Sequence, residues 1–510
     1  MHRIFETPEL LSIICAEVPW SGYMHISRHF FHAILPYCWE YVRPADFITR
    51  GLIPANWAQQ DGKIQASISQ PLTPENMSRF HFYAPFVKNL SLYSNSRTLE
   101  LDDWDPLISY SDANILFPNL AYFDCFTPDL RPLRAFLSSP TQSIRITSQA
   151  RDPPFTSDAL ACLASKAPNI PKLEIYPYAD TLTDSLSIHN IPPQTFVSLS
   201  ELCNLRYLIS NVAVLQPYAL QLLAQLPRLR VLWIKADYCG PQSNFLLQHP
   251  FPSSSFPSLE TLHIDLKTSR DVKRCWELIP LKGLTEAHIS IDSTNGEDQS
   301  QFIPPLCYGS PLLRELLIKF AKSDEDGQVH NIQMDMFEHL GRLPLDRALS
   351  IASAKLDIDD VWDRIAMAWP NLREINCKYQ LMYLEDLLML SEHLPNLCRL
   401  ECNFDFVDMA GAVGRKWYPN RDLPFYPNLS ELKIWPLKLK SWAHGEEPND
   451  LNDMARYFAY FWPNARIVPN GDDFMRLNID IYMYEQGLLN LFRKLIKVHA
   501  QLFHGIQPRC

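Results

Sequence analysis

The feature that most constrains this chain is a short skeleton that keeps returning. In FPSLETLHI, residues 256–264, it consists of Pro257, Leu259, Leu262 and Ile264. The pattern is proline, any residue, apolar, any two residues, apolar, any residue, apolar. It recurs as PFVKNLSL at 85, PNLAYFDC at 118, PNIPKLEI at 168 and PRLRVLWI at 227. Further copies are PLLRELLI at 311, PNLREINC at 370, PNLCRLEC at 395 and PNLSELKI at 427. Weaker copies stand in the longer gaps: SPTQSIRI near 139, LCNLRYLI near 202, LKGLTEAHI near 281, LPLDRALSI near 343 and PNARIV at 463. Counting all of them, the mean spacing is about 29 residues, a period at which stacked repeat arrays are built.

The grammar inside each copy is physical. Its second half alternates apolar and polar residues, as a short strand with one buried face requires. Stretches of helical periodicity precede many of the prolines: 156–167, 217–226, 359–369, 384–394 and 453–462. Proline disfavours the helical region for the residue before it and so ends the helix. Each unit therefore reads as helix, proline turn, strand. Strands joined by right-handed helical crossovers stack into a parallel sheet with helices on the other face. The expected fold is an α/β solenoid with a curved parallel sheet.

This pattern resembles the leucine-rich-repeat family in an irregular form that lacks a regular asparagine after the strand. The resemblance spans roughly residues 81–470 and implies 12–14 units. Residues 44–80 then read as a connecting segment, and 471–510 as a capping helix whose apolar stripe includes Leu488, Phe492, Leu495, His499 and Leu502. Such a stripe closes the last repeat or pairs as a short coiled coil.

Composition narrows the function. The formal charge of −11 is mildly acidic and spread along the chain, which argues against an electrostatic nucleic-acid binder. Glycine is scarce (15 residues), which works against phosphate-cradling loops. Glu6, Glu9 and Glu17 interrupt any apolar signal core, and no run of about 18 apolar residues suggests a membrane span. The twelve cysteines show no paired spacing. The expectation is a reducing compartment, cytoplasmic or nuclear.

The amino terminus is a different object. Pro8, Leu10, Leu11, Ile13 and Ile14 in TPELLSII, followed by SRHFFHAILPYCWEYV from Ser27, resemble an F-box of the fungal type over residues 1–43. The intervening CAEVPWSGYMHI is shorter than the family's middle helix and contains Pro19 and Gly22. The resemblance implies a small helical domain that docks the Skp adaptor, and through it a cullin, in an SCF ubiquitin ligase. Pro8, Leu10, Leu11, Ile13 and Ile14 would supply the contacts. The same residues also suit a cap that buries the open end of the first repeat, and the two roles are compatible.

No sequence motif points to catalysis. Walker, HExxH, GxSxG and GxGxxG patterns are absent, and the histidines lack zinc-ligand spacing. Cys125, Cys377 and Cys402 occupy the last apolar slot of the template, where Ile234 and Ile264 sit in other copies, so they read as core. SDEDGQVH (323–330) has a calcium-loop look without the ligand order and reads as a solvated loop. No cofactor or metal is expected.

Residues between the apolar slots point to the open face of the sheet. Tyr122, Trp233, Lys235, His263, Asp265, Arg399, Glu401, Lys433 and Trp435 are the candidate contacts there. Both signs of charge interleaved with tryptophan suit protein recognition better than nucleic acid or membrane. The expected role is a non-enzymatic receptor, a monomer within a hetero-complex, that presents a protein client to the ligase. The alternative is a repeat scaffold that binds a partner without any ligase.

Overall fold

The computed structural model describes residue 13 and residues 28–60, 63–68, 70–92, 99–126, 129–137, 140–147, 153–176, 193–235, 250–291, 300–320, 330–404, 431–436 and 466–469. The chain divides into two compact units, Met1–Leu259 and Glu260–Cys510.

The first unit contains strands β1 (Tyr41–Val42), β2 (Asn56–Gln60), β3 (Lys63–Ser67), β4 (Asn89–Ser91) and β5 (Leu99–Leu101). It continues with β6 (Tyr122–Phe126), β7 (Ser143–Thr147), β8 (Lys172–Tyr176), β9 (Tyr207–Asn211) and β10 (Val231–Lys235). Its main ladder runs β1-β4-β6-β7-β8-β9-β10, parallel at every step. Strands β2 and β3 form an antiparallel hairpin, to which β5 adds in parallel.

The second unit contains β11 (Thr261–Leu266), β12 (Glu286–Ile291), β13 (Glu315–Phe320), β14 (His330–Gln333) and β15 (Ala348–Ala352). It continues with β16 (Ala354–Asp357), β17 (Glu374–Met382), β18 (Arg399–Phe404), β19 (Glu431–Pro436) and β20 (Arg466–Pro469). The ladder β11-β12-β13-β15-β17-β18-β19-β20 is again parallel throughout. Strands β14 and β16 pair beside it.

Every copy of the skeleton, strong or weak, becomes a ladder strand. The reason is burial on a period of two: β7, β10, β11 and β12 alternate half-buried and buried residues along their length. The apolar slot after the proline fills the core beneath the turn, as Leu120, Ile170, Leu229, Leu259, Leu313 and Leu372 do. Helices Pro153–Lys166, Pro217–Ala224, Val361–Ala368 and Leu384–His393 form where helical periodicity predicts them. The fifth such stretch, 453–462, the loop 321–329 and the capping stretch 485–503 lie outside the described residues.

At many strand entries register is set by two successive amides that donate to one carbonyl of the preceding unit. Arg230 and Val231 both reach the Arg206 carbonyl at 2.9 Å; Thr285 and Glu286 reach that of Glu260 at 2.8 and 3.1 Å. A second link lies at the proline turn. The residue after the proline bonds back to the previous turn: Asn119 Nδ2 to the Pro85 carbonyl at 2.7 Å, and Ser258 Oγ to the Pro227 carbonyl at 2.7 Å. Between these, Asn204 Nδ2 donates to Asn169 Oδ1 at 2.5 Å, and Arg228 donates to Asn204. Asn119, Asn169 and Asn204 thus serve as lateral ties at their turns.

The helix Arg28–Glu40 precedes β1, the first strand of the ladder, and the Lys88 amide bonds to the Glu40 carbonyl at 3.2 Å. Trp39 is buried there, 4.6 Å from the Tyr83 ring and 5.8 Å from Phe47, with the Arg50 guanidinium 4.8 Å from its ring. Phe47, Phe80, Phe117 and Phe136 carry this aromatic packing inward. The cysteines in template slots pack as apolar groups. Cys125, Cys377 and Cys402 are buried and free, and burial pushes the Cys377 thiol up to about 12.

Candidate functional site

In each unit the outward-facing positions of the ladder fall into lateral rows, because parallel strands in register put equivalent residues about 4.8 Å apart. In the first unit one row runs Asp124, Arg145, Glu174, Ile209, Trp233. Glu174 is its hub. The Arg145 Nε lies 3.4 Å and the Lys235 Nζ 3.6 Å from its Oε1, and the Tyr176 hydroxyl donates to the same oxygen. The Lys235 ammonium also stands 4.7 Å from the Trp233 ring and 5.3 Å from that of Tyr176. Burial pushes the Asp124 carboxyl up, with the Arg145 charge opposing it. Burial also raises the Tyr122 phenol, and the Asp124 charge adds to that.

Strands β11 to β13 of the second unit carry a different set. His263 on β11 is the register partner of His288 on β12, and Glu286 on β12 is the partner of Glu315 on β13. His263 Nε2 lies 3.3 Å and His288 Nε2 3.2 Å from Glu286 Oε1, and His288 Nε2 is 3.5 Å from Glu315 Oε1. The two imidazoles lie face against face with centroids 4.0 Å apart and planes inclined by 33°. The hydrogen bond from His263 holds the Glu286 carboxyl below its ordinary range, against the opposing effect of burial. The ligand atoms of His263, Glu286 and His288 all lie within 4.8 Å of one another. Further along, Arg399 Nη1 donates to Glu374 Oε2 at 2.8 Å across β17 and β18.

The predicted contact residues are distributed as follows. Tyr122, Trp233 and Lys235 are half-buried members of the first unit's face, and Trp233 lies against the Lys235 ammonium rather than standing free. His263 and Asp265 are half-buried on β11. Arg399 pairs with Glu374, while Glu401 is only 8% exposed despite its outward register. Lys433 and Trp435 sit on β19 opposite Glu401 and Asn403, and their side chains lie outside the described residues. Ile13 is helical and 62% exposed. Pro8, Leu10, Leu11 and Ile14 lie outside the described residues.

Arg145, Glu286 and His288 were not among the predicted contacts because they belong to the weak copies near 139 and 281. Extending the same in-and-out alternation through those copies would have selected all three.

The fold of each unit is an α/β repeat array built on a parallel ladder. No protein-family model matches the chain, and no curated protein matches it in sequence. Among solved structures it is similar to an internalin from Listeria monocytogenes, at 14% identity and a TM-score of 0.28, over 68% of this chain and 82% of that one. Among the described residues, no helix is long and apolar enough to cross a membrane.

Proposed function

We propose that this chain is the substrate-receptor subunit of an SCF-type ubiquitin ligase. Residues 1–43 dock the Skp adaptor, and through it a cullin, while the open face of the repeats holds a protein client. The recognition half is carried by one observation: outward rows of mixed charge and aromatic rings, already tied together by Glu174, Lys235 and Trp233. Side chains held in place before binding lose less entropy on association. Aromatic and arginine groups supply most of the energy at protein interfaces. No bond is made or broken by this chain in that role. It contributes proximity and orientation to chemistry performed by the ligase.

The adaptor half rests on Pro8, Leu10, Leu11, Ile13 and Ile14 and on the SRHFF stretch after them. A scaffold without a ligase is the second reading, favoured by the way Trp39 and β1 close the first end of the ladder. Co-purification of the full chain with the Skp adaptor of its host separates the two, run beside a Leu10→Asp, Ile14→Asp double variant. Two carboxylates placed in a docking face without partners should abolish binding. Circular dichroism and melting establish that the variant is folded. Loss of the adaptor from a folded variant is the expected result. A wild-type chain that leaves the adaptor behind overturns the ligase role and leaves the scaffold.

A further inference from the structure

We propose that His263, Glu286 and His288 form a binding site for a divalent zinc ion on the open face of the second unit, with Glu315 beside His288. Backbone register assembles it. Glu286 and His288 are two residues apart on one strand and therefore share a face. His263 and Glu315 are brought beside them as direct register partners on the flanking strands. Three donors from two neighbouring strands are thus fixed by ladder hydrogen bonds rather than by a loop, as a precise ligand set requires.

The distances suit the ion. Tetrahedral zinc with bonds of about 2.0–2.1 Å to nitrogen and oxygen places neighbouring ligand atoms about 3.4 Å apart. The Glu286 Oε1 lies 3.2 Å from His288 Nε2 and 3.3 Å from His263 Nε2. The donor types also fit, since imidazole and carboxylate together are a common zinc set.

Protein groups alone satisfy the cluster poorly. His288 Nε2 is buried from solvent and makes no hydrogen bond, although two carboxylates lie near it. A buried polar atom without a partner calls for an explanation, and a shared cation supplies one. The inference stands on this geometry and does not depend on the adaptor reading.

The test uses the full chain, stripped of metal by chelator and titrated with Zn2+ against a chromophoric competitor. His263→Ala, His288→Ala and Glu286→Gln are measured alongside, with His339→Ala as a control outside the cluster. One site of micromolar or tighter affinity is expected, weakened at least 100-fold by either histidine change and at least 10-fold by Glu286→Gln, but unchanged in the control. Removing a group that merely orients a metal ligand usually costs about 10–100-fold in affinity, and removing a ligand itself should cost no less. Should an alanine variant unfold, X-ray absorption at the zinc edge of the wild-type chain decides instead. Two imidazoles with light-atom neighbours confirm the site; a sulfur shell assigns the metal to the cysteines and overturns it. Absent zinc binding, or binding unchanged in folded His263→Ala and His288→Ala variants, also overturns it and leaves an ion-pair cluster.

Discussion

Arg314 and Asp346 show how single side chains tie one repeat to the next at this protein's surface. The guanidinium Nε lies 2.8 and 3.0 Å from the two carboxylate oxygens, and Nη2 completes a bidentate pair. The same two residues are joined through the backbone, where the Asp346 amide meets the Arg314 carbonyl at 3.3 Å. The Arg314 hydrogen bond holds the Asp346 carboxyl below its ordinary value. A carboxyl depressed in the folded state adds stability above its unfolded pKa of about 3.9 and loses it as pH falls through the folded value. An Asp346→Asn variant should therefore melt below wild type at pH 7, and the gap should close below about pH 4. Added salt should narrow the gap at pH 7, because both partners are partly exposed. An equal gap at pH 7 and pH 3 would show that the ion pair does not contribute this way.

At the scale of elements, the proline skeleton made the main ladders legible, because its two alternating slots follow the pleat. What it did not reveal has physical causes. Strand β1 is two residues long and carries no skeleton, so only its pairing with β4 identifies it. The pairs β2–β3 and β14–β16 hang beside the ladders and follow no repeat grammar. Strand β17 runs on to Met382 past a register shift between Cys377 and Leu381, which no periodicity anticipates. The candidate site was half legible. His263 was visible in a strong copy, whereas Glu286 and His288 lay in a weak one and meet it only through register. Histidine spacing along the chain could not show a cluster assembled across strands.

Helix starts give an element-scale test. The helix Ser269–Leu278 begins at Thr268, whose hydroxyl accepts from the Asp271 amide at 3.1 Å and donates to the Asp271 carboxylate at 2.6 Å. Thr268→Ala should cost about 1 kcal/mol, read as a shift in the denaturant midpoint at constant slope. A change indistinguishable from zero would mean that the helix end is held by burial of Val272, Cys275 and Trp276 alone.

For the whole molecule, the two units share one construction: parallel strands whose outward residues form rows, helices behind, and lateral ties at several turns. Such an array adds surface with every repeat, and a partner can read several rows at once. The rows of the two units carry different chemistry, with cation, aromatic and carboxylate around Glu174 in the first and paired imidazoles and carboxylates around Glu286 in the second.

The most direct measurement is a quantitative comparison of what co-purifies from host cells with three tagged forms of the full chain. These are wild type, an open-face Trp233→Ala, Lys235→Glu variant, and a variant of Met367→Glu at the exposed side of the helix Val361–Ala368, each first shown by melting to be folded. If the chain is a ligase receptor that reads clients with its open face, the Skp adaptor accompanies all three equally. A discrete set of further proteins then falls at least ten-fold with the open-face variant and persists with Met367→Glu. The same set recovered undiminished with the open-face variant would contradict that role for the face.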